Sequence, residues 1–154
     1  MPLTGKHIFI VEDNVGNRSI ILTILQMAGA KTSFDRWGQQ TVSCLQKAGD
    51  VDMILMDLML PNGLTGYDVF DQIKAVPELA DIPIVIVSAS DPNVEMKKAR
   101  AKGFQGFIPK PINYNFPTTL ATILAGQQIW GYTVERDDPA IQELLSKSEK
   151  GGDS

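Results

Sequence analysis

Apolar runs suited to strands covered on both faces recur at residues 7–11, 53–56 and 84–87, with weaker candidates at 31–34 and 106–108. Segments of helical length lie between them. Over 14–27, Ile20, Ile21, Ile24, Leu25 and Ala28 fall at helical spacing and Gly29 supplies a stop. A second helix is predicted over 38–48, with Val42, Leu45 and Ala48 on one side and Gly49 after it, and a third over 66–75, ahead of Pro77. The fourth has a well-marked frame, with Asp91 as cap, Pro92 at its first position and Gly103 past its end. Its apolar face is thin: Val94, Met96, Ala99 and Ala101 are interleaved with Glu95, Lys97, Lys98, Arg100 and Lys102, so it is expected to be held less tightly than the first. A fifth helix over 115–124 admits Pro117 only in its first turn.

Strand and helix alternate five times, and short alternating units imply a parallel sheet wrapped on both faces through right-handed crossovers. The expected fold is α/β, a flavodoxin-like doubly wound five-stranded parallel sheet in the order 2-1-3-4-5 with five helices. The chain of 154 residues accommodates one such domain at 1–126. Residues 127–154 exceed what five units need. There Trp130 and Tyr132 are expected to pack on the domain or to form a homodimer contact, 138–145 to form a short helix, and 147–154 to be disordered.

Charge narrows the partners. Fourteen basic and eighteen acidic residues give a net charge of -4 with no long block of either sign, which disfavours nucleic-acid binding by a basic surface. Cys44 is the only cysteine and His7 the only histidine, which excludes an intramolecular disulfide and a cysteine-based zinc site. The start of the chain reads as too short an apolar stretch for a signal peptide, no segment is long enough to span a membrane, and a cytoplasmic location is expected.

The chemistry gathers at strand ends. Asp57 closes the run 51–57, placing a lone carboxylate where open α/β sheets bind ligands. Glu12 and Asp13 follow the first strand and so share that edge. Three carboxylates together resist ionisation unless a cation offsets them, and a hard oxygen-binding dication such as Mg²⁺ is the natural answer. Lys110, between Pro109 and Pro111, sets an ammonium at the fifth strand tip, and Ser88 sets a hydroxyl at the fourth. A carboxylate nucleophile, a metal seat, a cation and a hydroxyl describe phosphoryl transfer to Asp57. Each residue alone has a bland reading as a cap, a turn residue or a solvated lysine. Their joint placement at strand tips is what makes the pattern specific.

On these residues, together with Leu58-Met59-Leu60-Pro61 after Asp57 and Ala89 after Ser88, the chain from about 6 to 126 resembles a receiver domain of the two-component response-regulator family, of the stand-alone, chemotaxis-regulator-like kind. The resemblance implies Asp57 as phospho-acceptor, Asp13 as a direct Mg²⁺ ligand, with Mn²⁺ as an alternative, Glu12 acting through metal-bound water, and Met59 contributing its backbone carbonyl. It further implies Lys110 paired with the phosphoryl group, a cis Lys110–Pro111 bond, Ser88 and Phe107 as a switch pair, and Met59 and Ser90 as residues that tune the lifetime of the phosphorylated form. Its implied partners are a histidine kinase or histidine phosphotransfer protein and a downstream protein target, the surface of the fourth helix with the fifth strand and fifth helix being the expected readout face.

Three features depart from the family pattern: the loop at 62–65 is one residue longer, Phe107 lacks a tyrosine hydroxyl, and the tail past Gly126 matches no recognised output domain. The competing readings are a Mg²⁺-dependent phosphatase or phosphotransferase with an aspartyl intermediate, for which there is no spare length to build a cap, and a degenerate receiver acting as a binding scaffold. Gly63 and Gly66 read as turn glycines and not as a phosphate loop.

Overall fold

The apolar runs become strands because side chains alternate between two separately covered faces. The computed structural model describes residues 1–131. Strands β1 (His7–Val11), β2 (Lys31–Asp35), β3 (Met53–Met56), β4 (Ile84–Ser88), β5 (Gly106–Pro109) and β6 (Ile129–Trp130) form one parallel sheet in the order β2-β1-β3-β4-β5-β6. In β1, Ile8 and Ile10 join Ile21 and Leu25 of α1 (Val15–Met27) and Phe116, Leu120 and Ile123 of α5 (Phe116–Leu124). Phe9 and Val11 face the other way, into a second core with Leu45 of α2 (Thr41–Ala48), Val69, Phe70 and Ile73 of α3 (Gly66–Lys74) and Ala99 of α4 (Pro92–Lys102). Each fully buried large apolar side chain contributes about 1.5–3 kcal/mol, so the central strands fix the register and the helices follow.

The sheet has six strands among the described residues, one more than the five expected. β6 is two residues long, too short for any period to show in the sequence. It forms because β5 would otherwise end the sheet with an open edge. Gly106 lets it approach: a Cβ there would lie 2.7 Å from the Ile129 carbonyl oxygen. The Gly131 N–H donates to the Phe107 carbonyl at 2.7 Å, Ile129 is buried against α5, and Trp130 packs on the α4 side with the Arg100 guanidinium 5.1 Å from its ring. Tyr132, the expected helix at 138–145 and the expected disordered end at 147–154 lie outside the described residues.

Helix starts follow local hydrogen bonds. The Asn14 side chain accepts from the Asn17 N–H at 2.9 Å and opens α1. The inward stripe of α1 is Arg18, Ile21 and Leu25. Ile20, expected on the apolar face, is exposed, because it sits about 100° around the helix from Ile21. α2 begins at Thr41 and not at Gly38, because the buried Asp35 carboxylate gathers the N–H groups of Trp37 and Gln40 and the Thr41 hydroxyl into a turn. α4 has the expected frame, with Asp91 capping Asn93 and Gly103 left-handed at φ 113°. It buries only Ala99 and is fastened by polar contacts instead: the Tyr67 hydroxyl donates to Glu95, and Lys102 meets Asp71 at 2.8 Å. Among the described residues no helix is long and apolar enough to cross a membrane.

Candidate functional site

Parallel pairing carries the sequence-predicted residues to one edge. Val11 and Met56 are register partners, so the next residues along, Glu12 and Asp57, leave adjacent strand tips together, and the Asp57 N–H donates to the Val11 carbonyl at 3.1 Å. Ser88 pairs with Pro109, and the Lys110 N–H donates to the Ser88 carbonyl at 2.9 Å. Carboxylate oxygens of Glu12, Asp13 and Asp57 all lie within 4.8 Å of one another. A cavity of about 280 Å³ opens over them, lined also by Met59, Ser88, Ser90 and Lys110.

Lys110 already occupies this edge. Its Nζ donates to Glu12 Oε1 at 3.0 Å, Glu12 Oε2 at 3.1 Å and Asp57 Oδ2 at 3.2 Å. The Lys110–Pro111 bond is cis. Ser88 is buried, and its hydroxyl donates to Ser90 Oγ at 3.0 Å while accepting from the Ser90 N–H at 3.1 Å. Met59 is an exposed rim residue whose N–H donates to Asp57 Oδ1 at 3.4 Å. Phe107 does not line the cavity: it is wholly buried in β5, beside Trp130 of β6.

Electrostatics make the seat poised for a cation. Glu12 is 2% exposed, and burial first, then its hydrogen bond to Asp57 and the repulsion between the two carboxylates, push its carboxyl from the ordinary 4.5 up to about 7, against the opposing pull of Lys110. The folded chain therefore holds this proton more tightly than the unfolded one. Stability from this group is full below about 4.5 and is lost as pH rises through about 7. Carboxylate oxygens this close, one of them reluctant to ionise, fit a hard dication bound through a few protein oxygens and retained water.

Sequence reading missed four contributors. Asn14, read only as a cap, and Asn17 both line the cavity. Arg18 is buried and donates to the Glu12 carbonyl at 3.0 Å; the available signal was a charge at the inward position three residues before Ile21. Gly66, read as a turn glycine, lies against the backbone that carries Asp57: a Cβ there would stand 2.5 Å from the Asp57 carbonyl oxygen. Gly63 does serve a turn, at φ 75°, and Asn62 is left-handed at φ 62° in a 3-10 turn at Pro61–Gly63.

Comparison with known proteins agrees with this geometry. Residues 8–122 match the response regulator receiver domain. The chain is similar to two-component response regulator ORR12 of Oryza sativa subsp. japonica, with 27% identity over 110 residues, 71% of this chain and 90% of that protein. Among solved structures, the signal receiver domain of a signal transduction histidine kinase from Syntrophus aciditrophicus shares 26% identity at a TM-score of 0.66, covering 88% of this chain and 96% of that one. Vibrio cholerae chemotaxis protein CheY4, at 24% identity and a TM-score of 0.67 over 78% of this chain and 96% of its own, shares the fold. The family match runs from β1 into α5 and so takes in the whole alternating unit and every strand tip around Asp57; the chain belongs to the response regulator receiver domains, signalling modules of two-component phosphorelays.

Proposed function

We propose that Asp57 accepts a phosphoryl group from the phosphohistidine of a histidine kinase or phosphotransfer protein, and that the phosphorylated chain signals by protein contact in the cytoplasm. The observation that carries this reading is the meeting of Glu12, Asp13, Asp57 and Lys110 around one small cavity. We assign the role to residues 1–126, with the 127–154 extension lending β6 to the sheet edge.

In this reading an Asp57 carboxylate oxygen attacks phosphorus as the bond to the donor imidazole nitrogen breaks, leaving an acyl phosphate. Glu12, Asp13, Asp57 and the Met59 carbonyl would hold Mg²⁺ or Mn²⁺, which supplies charge neutralisation for the phosphoryl oxygens. Lys110 leaves its two carboxylates for a phosphoryl oxygen. Ser88 turns its hydroxyl from Ser90 toward the same group, and because Phe107 is already inside, the movement of the switch pair falls on Ser88 and the loop after it. Exposed Met59 and half-buried Ser90 flank the approach of water and so set the lifetime of the phosphorylated form. Beside Lys110, an apolar groove of about 370 Å³ between Ile20, Ile21, Pro111 and Ile112 suits the helix of a donor protein. α4, held by polar contacts and little apolar burial, responds at low cost.

Incubation with a small acyl or amido phosphate tests the reading. Mg²⁺-dependent labelling of the protein is the expected result; fast turnover of small phosphoesters would favour the phosphatase, and no labelling with Mg²⁺ present would favour the scaffold. A pH dependence follows as well. A dication must displace the Glu12 proton, so Mg²⁺ affinity is expected to rise about tenfold per pH unit up to about 7 and to level off above it. Calorimetric titration across that range measures this, and a flat profile would contradict it.

A further inference from the structure

Arg18 is 5% exposed on the second turn of α1, and among the described residues it takes part in no ion pair. Its guanidinium donates to the Glu12 carbonyl at 3.0 Å and lies 4.8 Å from the centre of the Phe34 ring. A buried cation without a carboxylate partner is costly unless its field or its hydrogen bonds serve a neighbour. Here the neighbour is evident. The carbonyl it holds belongs to the peptide that joins Glu12 to Asp13, so the guanidinium fixes the plane from which the Asp13 side chain departs.

The Phe34 ring closes the other face of the guanidinium, and the planar fork is what makes this double contact available; an ammonium offers neither the stacking nor the fixed direction. We propose that Arg18 is the positioning residue of the acidic seat, holding the Glu12–Asp13 peptide in the orientation that a bound dication requires. This rests on the reading that the seat takes Mg²⁺. Residues that orient metal ligands without touching the metal typically change its affinity by about 10–100-fold when replaced.

The test is a calorimetric titration of the full chain with Mg²⁺ alone, at a pH above that at which Glu12 titrates, for the native protein, Arg18→Met and Arg18→Lys, each checked by circular dichroism and thermal melting. Both variants are expected to bind Mg²⁺ about tenfold more weakly or worse, with Arg18→Lys no better than partly restored. A residue that only props up the fold would lower the melting temperature and leave the affinity of the folded variant unchanged, and that result overturns the proposal. If Arg18→Met does not fold, Arg18→Lys decides: native affinity there overturns it, and weakened affinity upholds it. A native protein that binds no Mg²⁺ sinks the phosphoryl-transfer reading itself and this role with it, whereas native binding with unaltered variants sinks the Arg18 role alone.

Discussion

Asp57→Asn is expected to abolish formation of an acyl phosphate on the protein while leaving the fold in place. The amide is nearly the same size, so the cavity and the strand tip are undisturbed. It lacks the anionic oxygen that attacks phosphorus. The variant also removes a listener from the acidic cluster. Asp57 is among the causes that raise the Glu12 carboxyl, so that carboxyl should ionise more readily in the variant, and the loss of metal-free stability with rising pH should shrink. Labelling with a small phosphodonor and Mg²⁺, read beside a pH series of thermal melts, checks both halves. Undiminished incorporation would move the acceptor elsewhere and sink the assignment.

What was legible in the sequence was whatever a repeated local rule writes many times. The five alternating units, the α4 frame from Asp91 to Gly103 and the strand-tip residues each rest on a period or on a cap with its own residue type. The rest depends on single contacts between segments far apart. β6 is two residues completing an edge made by β5; the late start of α2 is set by a carboxylate on β2; Ile20 is exposed while Arg18 is buried, because a guanidinium with an aromatic face and a carbonyl to hold can occupy an inward position that hydrophobicity assigns to an apolar side chain. Gly66 belongs with these. Nothing in its neighbours in sequence distinguishes it from the turn residue Gly63.

That distinction yields the second large effect: Gly66→Ala is expected to destabilise the fold by about 3 kcal/mol, the upper end for an added methyl group in a packed interior. Its Cβ would meet the Asp57 carbonyl oxygen at 2.5 Å, the Met56 Cγ at 2.9 Å and the Leu58 Cα at 3.1 Å. Two of these are backbone atoms of the segment that delivers the phospho-acceptor, and neither moves without shifting β3 or the start of α3. α3 cannot simply lift away, because the Gly66 N–H donates to the Leu58 carbonyl at 2.9 Å and the Thr65–Asp68 capping box fixes the helix start beside it. The damage therefore reaches the site as well as the core: the peptide pushed aside begins at Asp57, and labelling should fall together with stability. Gly63→Ala is the matched comparison. Nothing lies within 4 Å of its added Cβ, and only its φ of 75° is strained, a cost of about 1 kcal/mol. Urea denaturation of the two variants separates close approach from turn geometry, and equal, mild losses would show that the backbone at Asp57 has room that these distances deny it.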